Sequence, residues 1–358
     1  MPVFSLDCNS VKRYNLISGI PIPLSLLSPE ENNMKHVFVT LPLDESYRTR
    51  LAAIAGDAYS LQFMDPQEDR DTYIAALEQA NVILGEPDAG DLRFCRHLEW
   101  MQITWSGVDY YVQSSTFPKG AILSCATGLY GPIIAEHMLA LTLALSRRLP
   151  EYTVKQQQKK WELLLHDKPL EWSNVLILGA GDIGTTLAQW MRPMVGKIVG
   201  VRRTVRECPP CFDRMVTMDA LDEYLPWADY VLCCLPRTAQ TNHLLDETRL
   251  RSMKPDAVLV NAGRGNLIDL NGLCRVLKVG HLWGVGLDVA EEEPLPPEHP
   301  IWDCPRLIIT PHAAGNSMSM DSPTMKKILE FVIENFRRYV SGQPVLAQAD
   351  FSAGYCAK

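Results

Sequence analysis

The feature that most constrains the fold of this 358-residue chain is the segment Gly179-Ala-Gly-Asp-Ile-Gly184. The apolar run Val175–Leu178 precedes it, and the helical pattern Thr185–Trp190 follows it. In such a turn the first glycine permits a sharp bend, the second lets the main chain approach a pyrophosphate, and the third lets helix pack on strand. The pattern therefore predicts a doubly wound parallel sheet that binds a dinucleotide. The predicted cofactor contacts in this loop are Gly179, Gly181, Asp182, Ile183 and Gly184.

Short β-rich runs alternate with helical patterns from Met34 onward, which indicates an α/β chain with parallel sheets. The first series predicts strands at Val37–Thr40, Ser60–Met64, Val82–Leu84, Met101–Thr104 and Ile122–Ser124, with a helix over Tyr73–Gln79. The second series predicts strands at Val175–Leu178, Lys197–Val201, Tyr230–Leu235, Ala257–Asn261, Trp283–Val289 and Leu307–Thr310. A mostly apolar helix is predicted over Pro132–Leu149, and a last helix between Ser322 and Gly342. The length suits two domains.

The first 33 residues carry Pro21, Pro23 and Pro29 among scattered apolar residues, and a β-strand pattern begins only at Met34. We expect residues 1–33 to form a poorly ordered extension and Met34 to be the functional start. A signal peptide is the alternative, but the prolines and the lack of a small-residue cleavage site argue against it.

The charge balance excludes several classes of partner. The chain has 34 basic and 42 acidic residues, a net charge of -8, and no long basic stripe. Nucleic-acid and anionic-membrane binding are therefore disfavoured, and no apolar run is long enough to span a bilayer. Ten irregularly spaced cysteines indicate reduced thiols and a cytoplasmic protein. Cys208-Pro-Pro-Cys211 has no second Cys/His pair at finger spacing, so no metal site is predicted.

The end of the strand after the glycine-rich loop indicates which nicotinamide cofactor fits. An NAD site usually places an acidic residue there for the ribose hydroxyls, but this chain reads Arg202, Arg203 and Thr204. Two guanidinium groups and a hydroxyl can bind a 2′-phosphate, which a carboxylate would repel. NADPH is therefore the preferred cofactor, with NAD still possible. The alternative is that the arginines are merely solvated.

Three residues downstream of the loop have the chemistry to act on a small acid. Arg264 follows an apolar strand and can hold both oxygens of a substrate carboxylate. His312 follows another predicted strand and is suited to general acid catalysis, because its unperturbed pKa is near neutrality. An acid in the loop around Glu293 would raise that pKa. Taken singly, the three residues read as a surface ion pair, a helix-start histidine and a solvated acid.

The chain resembles the D-isomer-specific 2-hydroxyacid dehydrogenase family over most of its length after Met34. The segments similar to family motifs are Gly179-Ala-Gly-Asp-Ile-Gly184, Asn261-Ala-Gly-Arg-Gly265, Leu287-Asp-Val-Ala-Glu-Glu-Glu-Pro294, His299-Pro-Ile-Trp-Asp-Cys-Pro305, Pro311-His-Ala-Ala-Gly315 and Ala135-Glu-His-Met138. The resemblance implies a Rossmann-type cofactor domain over 129–315. It also implies a discontinuous flavodoxin-like substrate domain made of 34–128 and 316–358. A homodimer formed through the cofactor domain, with the 132–149 helix included, would be expected.

The same resemblance implies roles for individual residues. Arg264 would bind the substrate's carboxylate and carbonyl, His312 would donate the proton, and Glu293 would orient and charge His312. The backbone of Ser106 and Gly107 would hold the carboxylate. The further expected cofactor contacts are Pro236, Thr241, Ala262 and Asp288, the last of them to the nicotinamide carboxamide.

Two departures from the family pattern stand out. Arginine replaces the acidic ribose residue, and Ala290 replaces a residue that is often larger. We predict an NADPH-dependent reductase of small 2-oxo acids of the glyoxylate/hydroxypyruvate kind. The alternatives are a D-3-phosphoglycerate or other D-2-hydroxyacid dehydrogenase that works oxidatively, and a nucleotide-sensing, corepressor-like binding protein.

Overall fold

The computed structural model describes residues 34–63, 70–204, 207–315 and 321–356. These residues form two compact units. The first unit comprises the described residues up to Thr127 together with those from Met325 onward, and the second spans Gly128–Thr324. The predicted extension over 1–33 lies outside the described residues, and so does Met64 at the end of the second predicted strand.

The strands and helices of the described residues alternate along most of the chain. The strands are β1 (Lys35–Val39), β2 (Tyr59–Phe63), β3 (Val82–Leu84), β4 (Trp100–Gln102), β5 (Ile122–Ser124), β6 (Asn174–Leu178), β7 (Lys197–Arg202), β8 (Arg214–Thr217), β9 (Tyr230–Cys233), β10 (Val258–Asn261), β11 (Gly284–Leu287), β12 (Leu307–Ile309), β13 (Ala349–Asp350) and β14 (Tyr355–Cys356). The helices are α1 (Glu45–Ala55), α2 (Arg70–Gln79), α3 (Asp109–Val112), α4 (Gly131–Ser146), α5 (Leu149–Gln157), α6 (Asp182–Met191), α7 (Leu221–Tyr224), α8 (Glu247–Ser252), α9 (Leu270–Lys278) and α10 (Pro323–Val340).

The first unit is built on a parallel sheet with the strand order β2-β1-β3-β4-β5. The C-terminal helix α10 returns to this sheet, where the ring of Tyr339 stacks on Trp100 at 4.9 Å. The buried Asn335 donates a hydrogen bond to Gln102 at 2.6 Å. The first unit is therefore an α/β domain made of two separate stretches of chain.

The second unit is built on a seven-stranded parallel sheet with the order β12-β11-β10-β9-β6-β7-β8. Side chains of β6 alternate between the two faces of this sheet: Val175 and Ile177 join one apolar core, and Leu176 and Leu178 join the other. Burial on both faces explains why the strands are almost wholly apolar. The chain leaves β6 towards β7 and later returns to β9 on its other side. This reversal point is where open α/β sheets bind ligands.

The prediction of one helix to Leu149 is wrong at its end, because α4 ends at Ser146 and α5 begins at Leu149. A continuous helix would force the ring of Pro150 against the carbonyl of Ser146, four residues earlier. The chain instead turns at Arg148, whose φ is 56°. The buried side of α4 packs in the second unit's own core, through Ala135, Met138, Leu141 and Leu145.

Other predictions hold with small shifts of the ends of the strands. The edge strand β8 was not predicted, and β4 begins and ends earlier than expected. The expectation that the thiols are reduced fails at one pair, since Cys125 and Cys356 are joined by a disulfide in the first unit. Across the part of the chain that the structure describes, no helix has the length and apolarity needed to cross a bilayer.

Candidate active site

The glycine-rich loop leaves β6 and leads into α6 with the geometry that a dinucleotide requires. Gly179 has a φ of 103°, which disfavours any side chain. A Cβ atom on Gly184 would lie 2.3 Å from the carbonyl oxygen of Gly179, so the helix can approach the loop only because residue 184 is glycine. A Cβ on Gly181 would meet nothing within 4 Å. The second glycine therefore faces open space at the amino end of α6, where unpaired N–H groups and the helix dipole favour a phosphate.

The glycine-rich loop is fastened to the end of β7. The N–H groups of Gly179 and Ala180 both donate to the carbonyl of Val201, at 3.0 and 3.1 Å. The Nε of Arg202 donates to the carbonyl of Ala180, which fixes this guanidinium beside the loop. Arg203, one residue further on, is exposed.

Thr204 is exposed as well, so two of the three residues predicted to contact a 2′-phosphate face solvent. The third, Arg202, is half-buried and also holds the loop. The Asp182 carboxylate accepts a hydrogen bond from the N–H of Gly131 at 2.8 Å, which ties α6 to the start of α4. Ile183 packs against the apolar core on that side.

The loops after β9 and β10 meet at the same edge of the sheet. The hydroxyl of Thr241 donates to the carbonyl of Pro236 at 2.8 Å and so closes a tight turn after β9. Ala262 is buried after β10, and its N–H donates to Cys233 at 3.0 Å. A Cβ on Gly263 would lie 2.6 Å from the carbonyl of Leu235. Main chain therefore packs on main chain beside the glycine-rich loop.

His312 and Glu293 form an ion pair in which Nδ1 of the imidazole lies 2.7 Å from Oε2 of the carboxylate. The hydrogen bond to Glu293 raises the pKa of His312, and Arg264 opposes that rise with its positive charge. Burial raises the pKa of Glu293, but the bonds from His312 and from the N–H of Ala290 outweigh burial and leave that pKa lowered. Both shifts favour the charged forms: His312 stays protonated to a higher pH, and Glu293 stays ionised to a lower pH, than the same side chains would alone.

Arg264 lies close enough to both members of the pair for its charge to lower the pKa of each. The side-chain amide of Asn261 holds this loop: it donates to the carbonyl of Arg264 at 3.0 Å and accepts from the N–H of Gly263 at 3.0 Å. Sequence reasoning did not single out Asn261, although it opens the arginine motif. Asn261 is completely buried at the end of β10, and the sequence alone does not reveal that burial.

Gly265 brings the arginine loop against the loop that carries Glu293. A Cβ at this position would lie 1.8 Å from the carbonyl oxygen of Ala290, so only glycine fits. The N–H of Ala290 donates to Oε1 of Glu293 at 2.9 Å. The carbonyl of Ala290 thus packs against Gly265 in the arginine loop, and the N–H of Ala290 orients the carboxylate of Glu293.

Asp288 is 2% exposed, and its carboxylate accepts main-chain N–H groups of the loop that follows His312. These are the N–H of Ala313 at 2.8 Å and the N–H of Ala314 at 3.0 Å. Asp288 therefore acts on the histidine loop in this structure. Its expected contact with a nicotinamide carboxamide stays a prediction.

Ser106 and Gly107 follow β4 in the first unit, after an exposed Trp105. The carbonyl of Trp105 accepts a hydrogen bond from Ala126 at 2.8 Å, and its ring stacks on Tyr111 at 6.0 Å. The loop is thus fixed at the carboxyl end of the first sheet. Its role towards a substrate stays a prediction.

Cys208 is exposed and Cys211 is buried, in the loop between β7 and β8. Within the described ranges, no three His, Cys, Asp or Glu side chains cluster so as to hold a metal ion.

Comparison with known proteins agrees with this arrangement. The family model described as D-isomer specific 2-hydroxyacid dehydrogenase, NAD binding domain, matches residues 139–314. A glyoxylate/hydroxypyruvate reductase B from Pectobacterium carotovorum is 30% identical over 250 residues, which are 66% of this chain and 76% of that protein.

Solved structures share the fold. A D-isomer specific 2-hydroxyacid dehydrogenase family protein from Aeromonas salmonicida has a TM-score of 0.78 and 30% identity, and the match covers 89% of this chain and 99% of that one. An NADPH-dependent glyoxylate/hydroxypyruvate reductase from Sinorhizobium meliloti, solved with NADP and sulfate, is similar in fold at a TM-score of 0.74 and 23% identity, with coverage of 90% and 100%. The chain belongs to the D-isomer specific 2-hydroxyacid dehydrogenase family, a family of NAD(P)-dependent oxidoreductases with two α/β domains.

Proposed function

We propose that this protein reduces small 2-oxo acids, such as glyoxylate or hydroxypyruvate, to D-2-hydroxy acids, with NADPH as the preferred reductant. The observation that carries the proposal is the His312–Glu293 pair, 2.7 Å apart, within electrostatic reach of Arg264. An imidazolium held by a carboxylate is a proton donor, and a nearby guanidinium is a receptor for an acid. The glyoxylate/hydroxypyruvate reductase among the relatives supports the same reaction.

In the proposed reaction one 2-oxo acid, one NADPH and one proton give one 2-hydroxy acid and one NADP⁺. When bound, the reduced nicotinamide supplies the hydride for the carbonyl carbon. The protonated His312 gives its proton to the carbonyl oxygen as that oxygen gains charge. Glu293 keeps His312 protonated and oriented, since its carboxylate stabilises the imidazolium.

Arg264 is proposed to bind the substrate carboxylate, because a planar guanidinium can hold both carboxylate oxygens and so fix the carbonyl. We propose that the main-chain N–H groups of Ser106 and Gly107 also contact the carboxylate. That second role is supported only by the resemblance of this loop to the family's substrate loop.

The cofactor preference is proposed from the end of β7. Arg202 is anchored beside the glycine-rich loop, and Arg203 and Thr204 follow it with exposed side chains. Positive charge and a hydroxyl at this point favour a 2′-phosphate over a ribose hydroxyl. The remaining predicted contacts, among them Pro236, Thr241 and Ala262, line the same edge of the sheet.

A turnover panel tests the proposal. Purified protein is mixed with glyoxylate, hydroxypyruvate or pyruvate and with NADPH or NADH, and loss of reduced cofactor is followed by absorbance. Oxidation of D-3-phosphoglycerate and D-lactate with NADP⁺ and NAD⁺ is measured in parallel. We expect fastest turnover of a 2-oxo acid with NADPH. Faster oxidation would favour the dehydrogenase alternative, and cofactor binding without turnover in any mixture would favour a sensor.

We propose a homodimer formed through the cofactor domain, in which α4 and the segment that follows α5 both take part. Trp161 is fully exposed, Leu163 and Leu165 are mostly exposed, and Trp172 is 84% exposed. Large apolar side chains clustered in one exposed segment mark an interaction surface. Sedimentation velocity tests this: wild type should sediment as a dimer and a Trp161→Glu variant as a monomer. A monomeric wild type would contradict the proposal.

A cytoplasmic location is proposed from the seven free cysteines among the described residues. The Cys125–Cys356 bond is the observation that stands against it. Labelling of thiols in the native host before and after reduction would decide whether this bond exists there.

A further inference from the structure

His137, on α4, belongs to a chain of hydrogen bonds that ends at the loop of His312. Its Nε2 lies 2.9 Å from the hydroxyl of Thr310, and that hydroxyl donates to Oδ1 of Asp288 at 2.6 Å. Nε2 also lies 3.5 Å from the same carboxylate oxygen. Three separate elements, α4, the end of β11 and the end of β12, are thus joined through side chains beside the candidate site.

The direction of the protons in this chain follows from the groups involved. Asp288, as a carboxylate, can only accept, so the single hydroxyl proton of Thr310 goes to it. The oxygen of Thr310 must then accept from His137, which requires a proton on Nε2 of that imidazole. His137 is therefore a donor in this chain, and an apolar residue of similar size would leave the oxygen of Thr310 without this donor.

These hydrogen bonds lead from His137 to the loop of His312, and that loop holds a strained residue. His312 has a φ of 52°, a left-handed conformation that is uncommon for a residue with a side chain. Its N–H donates to the main-chain carbonyl of Asp288 at 2.7 Å, and the next two N–H groups go to the Asp288 carboxylate. A strained backbone persists when its surroundings over-determine it, and here Asp288 supplies the fixing contacts.

We propose that His137 is a positioning residue for His312, acting through Thr310 and Asp288. By donating to Thr310 it holds the hydroxyl on the buried carboxylate, and the carboxylate holds the loop so that the His312 ring meets Glu293. His137 touches neither member of that pair. The proposal rests on the proposed function, since it assigns a role in presenting the proton donor.

Two variants of His137 distinguish a role in hydrogen bonding from a role in packing alone. His137→Gln keeps an N–H donor at similar reach, and His137→Leu keeps the volume without a donor. Thr310→Ser keeps the hydroxyl, and Thr310→Val removes it. The matched control is Thr142→Val, because Thr142 is a buried residue on the same helix whose hydroxyl donates to the carbonyl of Met138 at 2.7 Å, away from this chain.

The readouts are kcat, KM for NADPH, thermal unfolding and the pKa of His312 by NMR titration of the ring. The charged groups that face His312 are Glu293, Arg264 and Asp288, and none of them is altered by these variants. We expect His137→Leu to lower kcat about tenfold with KM for NADPH within about twofold, since misplacement of a catalytic group costs turnover more than cofactor binding. The pKa of His312 should fall, because a looser loop weakens the bond to Glu293.

His137→Gln and Thr310→Ser should each retain most of the wild-type kcat and keep the pKa of His312 close to its wild-type value. The double variant His137→Leu/Thr310→Val should have a kcat no lower than that of the poorer single variant, because both substitutions interrupt the same series of hydrogen bonds. The proposal is overturned if His137→Leu keeps the wild-type kcat and His312 pKa. It is also overturned if His137→Leu behaves like Thr142→Val, with a lower melting temperature and an unmoved pKa.

The outcome of this test is separable from that of the proposed function. If wild-type protein turns over no 2-oxo acid, the proposed function fails while the NMR titration still reports whether His137 sets the pKa of His312. If turnover is present and the titration curves coincide, the positioning role alone fails. Should His137→Leu not fold, Thr310→Val against Thr310→Ser measures the same link.

Discussion

The glycine-rich loop and the His312 cluster lie at the same edge of one sheet but are built from different parts of the chain. The loop is made of main chain, and its geometry depends on side chains that are missing at Gly179 and Gly184. The cluster is made of side chains, each held by a bond from elsewhere, such as Asn261 behind the arginine loop and Asp288 behind the histidine loop. A main-chain site depends on a local pattern, whereas a side-chain site depends on residues brought together by the fold.

The largest effect is expected when the proton donor of the cluster is removed. His312→Ala should lower kcat for reduction by about 10²- to 10⁴-fold, the usual contribution of general acid catalysis. The Kd for NADPH, measured by fluorescence titration, should change little because the loop is untouched. Near-normal turnover in this variant would remove His312 from the chemistry, and a lost affinity for NADPH would mean that the two regions are not independent.

The loop itself can be broken in two distinguishable ways. Gly184→Ala places a Cβ 2.3 Å from a main-chain oxygen, an overpacking that costs about 3 kcal/mol and exceeds the gain in helix propensity of about 1 kcal/mol. Urea denaturation should show the loss of stability. Gly181→Ala, its matched control, meets no atom within 4 Å and should leave the unfolding midpoint nearly unchanged while weakening NADPH binding. Equal unfolding curves for the two variants would contradict the close approach at Gly184.

A smaller effect is expected from Arg203, an exposed side chain that follows β7 beside the glycine-rich loop. Arg203→Ala should lower the ratio of kcat/KM for NADPH to that for NADH by about fivefold, because an exposed ion pair contributes about 1 kcal/mol. Arg251→Ala, which removes an exposed arginine paired with Glu247 on α8, is the control and should leave the ratio unchanged. An unchanged ratio in Arg203→Ala would mean that this guanidinium is simply solvated.

The same contrast explains how far the sequence alone could lead. The strands of the second unit could be predicted from continuous apolar runs, and the turn from three glycines at fixed spacing. The edge strand β8 could not, because only Met215 and Val216 are buried in it. The end of α4 required attention to Pro150, whose ring decides where the helix stops.

For the site, Arg264, Glu293 and His312 could be proposed from residue type and from the strand ends that precede them. The residues that support them, such as His137 and Thr310, could not be proposed from the sequence. His137 and Thr310 are 173 positions apart, and nothing local to either one indicates their hydrogen bond. Polar residues behind a site become informative only when the fold places them together.

The most direct test of the central claim is the pH dependence of kcat for reduction in wild type and in Glu293→Gln. Reduction needs the imidazolium of His312, so kcat should be high below the raised pKa of that group and fall as pH passes through it. Without the carboxylate the imidazolium loses its partner, so the fall should move to lower pH. A fall at the same pH in both proteins would contradict the claim that Glu293 holds the proton on His312.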